Sequence, residues 1–134
     1  LADRFTEFAP PRWADEGLAM LFDSTPKQAG HEADFRRAHD AGRAFSVADI
    51  LALEHYPASP MRQRVFYGQS AALVRWLIAR GGAATFVDFV DEASRADVAS
   101  ALQRHYGLES LASLDAAWKE VPQIQTLTFV GQVR

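Results

Sequence analysis

Pro11-Arg12-Trp13-Ala14-Asp15-Glu16-Gly17-Leu18-Ala19-Met20-Leu21 sets a carboxylate and a glycine among apolar residues at helical spacing. Stepped at about 100° per residue from Pro11, a residue type favoured at helix starts, Trp13, Glu16, Gly17 and Met20 share one arc of roughly 100°. That arc is where the helix packs, so Glu16 is expected to point toward a neighbour. Gly17 costs roughly 1 kcal/mol against alanine inside a helix. Its use is to let a second helix come close at the level of Glu16. Leu18 and Phe22 fall opposite Trp13, which predicts cover on that side too. A carboxylate buried in such a place has to be paired, protonated or bound to a metal.

Helical spacing also governs the rest of the chain. Asp23 to Arg43 is polar and rich in turn formers, which predicts a mobile excursion holding a short helix over 32–41. Ser46-Val47-Ala48-Asp49 reads as a capping box in which Asp replaces the usual Glu, opening a helix that runs to about Glu54. Tyr56-Pro57-Ala58-Ser59-Pro60 is a hinge, followed by a long helix over 61–80 that stops at Gly81-Gly82. Phe86, Phe89, Val90 and Ala93 mark the next helix. Another spans 96–106 with Gly107 as its cap, and a last one carries Leu111, Leu114, Trp118 and Val121. Thr126 to Val130 is β-prone by composition. The fold class is therefore all-α or mostly α, with a short C-terminal strand as the one β element to be tested.

A chain of 134 residues with 49% hydrophobic content can bury a core of its own. Its net charge of −3 and pI near 5.8 give no electrostatic case for nucleic acid. No apolar run approaches the length of a membrane span. The absence of cysteine excludes a disulfide framework and a thiolate metal site, and leaves the compartment unassigned. No internal repeat or low-complexity stretch is present.

The string Pro-Arg-Trp-Ala-Asp-Glu-Gly-Leu-Ala at 11–19 resembles the second motif of gluzincin zinc metallopeptidases, in particular the peptidase MA-like group, which includes bacterial proteins. Phe66 to Leu77 is similar to that family's Tyr-x-x-Ser helix, and Leu111 to Trp118 to its closing Leu-x-x-Leu-x-x-x-Trp segment. The resemblance runs from about Pro10 to Val121. It implies a zinc site in which a His-Glu-x-x-His helix supplies two ligands and the general base. Glu16 matches the third ligand. The implied chemistry is hydrolysis of peptide bonds by zinc-activated water, with a peptide or protein as substrate. Tyr67 is the candidate catalytic residue, a phenol that donates to the developing oxyanion. A structural tyrosine with its hydroxyl satisfied elsewhere is the alternative.

The departures from that pattern matter as much as the match. No His-Glu-x-x-His occurs, since His31-Glu32-Ala33-Asp34-Phe35 has a phenylalanine where the second histidine belongs, and all four histidines follow Glu16. The sequence is expected to be the C-terminal part of a metallopeptidase-like domain over 1–121 with a tail over 122–134, inactive as a peptidase and without tightly held zinc by itself. The competing class is a non-catalytic helical interaction module that keeps the scaffold. Without a histidine helix, the face of Trp13, Gly17 and Met20 loses its neighbour, which predicts a homodimer there, or cover from Leu1–Phe8 or Gln123–Arg134.

Other candidates have plainer readings. His31, Glu32, Asp34 and His39 carry donors suited to zinc or nickel, but His31 and His39 stand eight residues apart, which favours a solvated polar surface. His55 stands alone. His105 continues the spacing of Val98 and Leu102, as a partly buried, hydrogen-bonded histidine would. Ser70 lies one turn past Tyr67 and suits close helix packing, with no nucleophile elbow around it. Trp13, Trp76 and Trp118 are read as core.

Overall fold

In a computed structural model describing residues 10–53 and 55–120, the chain is all-α. The helices are α1 (Arg12–Leu21), α2 (Thr25–Asp40), α3 (Val47–Ala52), α4 (Pro60–Gly81), α5 (Ala83–Arg95), α6 (Val98–Tyr106) and α7 (Leu111–Glu120). They take 78% of the described residues, none of which lies in a strand. The expected strand at 126–130 and the tail over 122–134 lie outside the described residues.

Local chemistry accounts for most helix ends. The first N–H groups of a helix lack intrahelical acceptors, and side-chain oxygens supply them. Ser46 accepts from the Asp49 N–H at 3.1 Å, Ser59 from Arg62 at 3.0 Å and Asp97 from Ser100 at 3.1 Å. At the other end, α6 stops at Gly107, whose φ of 68° is the left-handed conformation that glycine adopts without a steric cost.

Helix α4 is the axis of the fold. From Val65 to Leu77 only Tyr67 and Trp76 are not fully buried, because α1, α2 and α5 pack on its different sides. Two glycines set the spacing. A Cβ at Gly17 would lie 2.4 Å from Val74 Cγ2 and 2.7 Å from the Ser70 carbonyl oxygen, and one at Gly68 would lie 2.1 Å from the His31 carbonyl oxygen. Gly17 thus admits α4 beside Glu16, as the sequence implies. Around this axis Trp13 meets Phe86 edge-on at 6.1 Å, and Phe35 stacks on Trp118 at 5.4 Å with the rings 12° from parallel. Phe89 meets Tyr106 edge-on at 5.5 Å, and the Tyr106 hydroxyl donates to the Leu77 carbonyl at 3.1 Å.

Three expectations are corrected here. The polar stretch after Asp23 is a sixteen-residue helix docked on α4 through buried Phe35 and Ala38, so it is an integral layer of the fold. The face near Trp13 and Met20 is not open. Trp13 is 2% exposed and Met20 8%, since α4 and the rings of α5 close over α1. Trp76 is only partly buried, with the Arg80 guanidinium 5.0 Å above its ring, whereas Trp13 and Trp118 are core as expected.

One polar contact ties a connection to this core. Gln69, fully buried in α4, accepts the Phe45 N–H on Oε1 at 3.0 Å and donates through Nε2 to the Phe45 carbonyl. A single amide side chain thereby satisfies both backbone groups of one residue between α2 and α3.

Candidate functional site

Glu16 projects from the middle of α1, half-buried and not sealed in as the sequence pattern suggests. Its Oε1 accepts a hydrogen bond from the Tyr56 hydroxyl, which comes from the connection between α3 and α4. Arg12 stands one helical turn before Glu16 and lays its guanidinium over the Tyr56 ring at 4.5 Å. The phenol is held above its usual pKa, chiefly because its proton is bonded to the Glu16 carboxylate, and further by burial and the carboxylate charge; Arg12 opposes the rise.

Tyr67 follows on α4. Its ring meets that of Tyr56 edge-on at 6.0 Å, so the two sequence-predicted site residues share one neighbourhood with Tyr56 between them. On the other side Tyr67 meets the His31 ring of α2, also edge-on, at 5.5 Å. Glu16, Tyr56, Tyr67 and His31 therefore line up across α1, a connection, α4 and α2. The approach of α2 that brings His31 here is the one Gly68 permits.

His31 is half-buried, its Nδ1 is enclosed without a hydrogen-bond partner, and burial lowers its pKa below 6.5. The folded chain therefore resists protonating it more than the unfolded chain does. Well above pH 6.5 the imidazole is neutral in both states. As the pH falls from there, the unfolded chain takes the proton first and stability drops, until the loss saturates below the folded pKa. In a His31→Gln variant this component of the slope should vanish; NMR titration of the wild-type ring at or above 6.5 would contradict the account.

The remaining candidates go elsewhere. His39 is exposed beside Asp40, and Asp34 pairs with Arg37 and Arg64 on the surface of α2. His105 is half-buried and bonded to Glu92 at 3.1 Å, as its spacing suggests. Ser70 is buried, with its backbone against Gly17, in the packing role. Among the described residues no group of three or more histidines, aspartates or glutamates is placed to hold a metal ion. No helix among them is long and apolar enough to cross a membrane.

Sequence reasoning missed Tyr56 and the role of Arg12. The i,i+4 spacing of Arg12 and Glu16 was a signal for the second. Nothing local could tie Tyr56 to a carboxylate forty residues away. Compared with family models, curated proteins and solved structures, the chain matches none.

Proposed function

We propose that this helical unit is the C-terminal part of a gluzincin-type zinc peptidase acting on peptide or protein substrates, with Glu16 as its third metal ligand. The observation that carries the reading is the setting of that carboxylate. It stands half-exposed, one residue before the glycine that seats α1 on α4, and its side-chain hydrogen-bond partner among the described residues is a phenol. Orientation of a ligand by a hydrogen bond to one of its atoms is the usual work of groups behind a metal. Tyr67 stands beside Tyr56 with a phenol to donate to the developing oxyanion.

The described residues offer one ligand, whereas a catalytic zinc takes about three from protein. They do not amount to a zinc site. When bound, the metal supplies Lewis acidity toward the scissile carbonyl; the two histidines and the base would have to come from residues beyond those described. This chain by itself is expected to keep no stoichiometric zinc after mild chelation, and about one zinc per chain would contradict that.

The decisive experiment reads the coding sequence upstream of Leu1 for His-Glu-x-x-His and expresses the extended protein. Glu16→Gln should then lose zinc and hydrolysis together. Tyr67→Phe should keep its zinc and lose about 10²-fold in kcat. Full zinc and activity in Glu16→Gln would remove the assignment. An unchanged kcat in Tyr67→Phe would make that tyrosine structural. Without the upstream motif, the non-catalytic interaction module takes the place of the peptidase. A homodimer through the Trp13 and Met20 face is no longer part of either reading, because that face is filled within the chain.

A further inference from the structure

Arg75 on α4 is 5% exposed, the only charged residue that the fold buries among the described residues. A cation so placed is ordinarily held by a carboxylate. Here Nη1 donates to a neutral acceptor, Gln28 Oε1, at 3.3 Å, and Nε is enclosed without a hydrogen-bond partner among the described residues. Burial pushes the guanidinium below its usual pKa, against the pull of the Glu32 carboxylate, which itself bonds Arg36 at 2.8 Å. Loss of the proton is no way out for arginine, which stays charged in proteins. The charge therefore remains inside the fold and calls for an anion.

The surroundings favour one. Gln28 stands in the opening turns of α2, so Arg75 meets the start of a sixteen-residue helix, where backbone N–H groups carry partial positive charge. Lys27 adds a cation there, and Asp23, 3.8 Å from it, a carboxylate that offsets it. The Gln28 amide cannot serve Arg75 further. Its Nε2 donates to the Leu21 carbonyl at 3.3 Å and to the Asp23 carbonyl at 2.8 Å, which fixes the side chain across the α1–α2 corner and turns only Oε1 toward Arg75. With Nη1 so engaged, the opposite edge of the guanidinium remains. There Nε–H and an Nη2–H lie parallel, the fork that grips both oxygens of one carboxylate.

We propose that the Nε–Nη2 edge of Arg75, at the start of α2, is a binding site for a small carboxylate. A carboxylate suits this edge better than a phosphate because it is planar, presents its two oxygens to a single fork, and gives up the hydration of one negative charge when it is buried. Arg75 is no part of the Glu16 cluster, and the inference stands whether or not the peptidase reading does.

The test follows the Arg75 Nε–H signal by NMR in the full 134-residue chain while acetate, and separately inorganic phosphate, replaces chloride at constant ionic strength. Arg75→Lys assigns the signal by its loss. Acetate should move it saturably and raise the melting temperature of the wild type, as any ligand of the folded state does. Arg75→Gln should lose that rise, and the wild-type titration decides even where the variant fails to fold. A signal unmoved by acetate, as when water alone or another carboxylate of the chain fills the edge, overturns the proposal. A response to phosphate with none to acetate overturns the carboxylate assignment. An equal rise in melting temperature in Arg75→Gln would be a general salt effect and overturn it as well.

Discussion

Gly68→Ala is expected to lower the free energy of unfolding by about 2–4 kcal/mol, even though alanine is the better helix former by about 1 kcal/mol. The added methyl would sit 2.1 Å from the His31 carbonyl oxygen, a backbone atom that no rotamer change can move aside. Either α2 withdraws from α4 or the helix bends. Both expose the side chains that the pair buries. Gly17→Ala meets the same obstacle at the Ser70 carbonyl, 2.7 Å away, and should follow in sign. Gly30→Ala is the control, since nothing lies within 4 Å of its Cβ; it should stabilise by up to about 1 kcal/mol. Urea unfolding of the three variants checks the set. A Gly68→Ala protein as stable as wild type would show that α2 does not pack at this distance.

Phe35→Ala should cost about 3–5 kcal/mol, the range for emptying a buried aromatic site. In a domain stable by about 5–15 kcal/mol that is about a fifth of the total or more. Phe35 is 1% exposed and stacks on Trp118, which joins α2 to α7 across the core. A double-mutant cycle with Trp118→Leu should return about 0.5–1.5 kcal/mol of coupling for the ring pair. A loss below about 1 kcal/mol would mean that α2 contributes little to the folded core, as the polar composition of 23–43 first suggests.

That composition shows where sequence patterning loses its grip. α2 buries only Phe35 and Ala38, so its apolar stripe is too thin to stand out among sixteen residues. The start signal was nonetheless present: Ser24 caps the helix and Pro26 sits in its first turn, as helix starts favour. The tightest evidence of α2 lay in α4, where Gly68 interrupts a helix that would otherwise gain from a side chain. The long helix, its glycine stop and the capped start at Ser46 were legible because each depends on residues within one turn. Burial of Gln69 and Arg75 was not, because both are defined by distant partners: Phe45 for one, Gln28 for the other. The site divides along the same line. Glu16 stood out by its neighbours in sequence, and Tyr56 by its neighbours in space alone.

The Gln69 contact has an evolutionary corollary. Its amide engages only the main chain of Phe45, while the ring of that residue is held separately, edge-on to Phe66 at 6.5 Å and under the Arg62 guanidinium at 4.0 Å. Position 45 therefore needs a large apolar side chain for its own packing, whereas position 69 needs an amide for the main chain. Leucine there would leave an N–H and a carbonyl without acceptor or donor inside the fold, each worth about 1–3 kcal/mol. Among divergent descendants of this chain, the glutamine should persist where position 45 exchanges one large apolar residue for another.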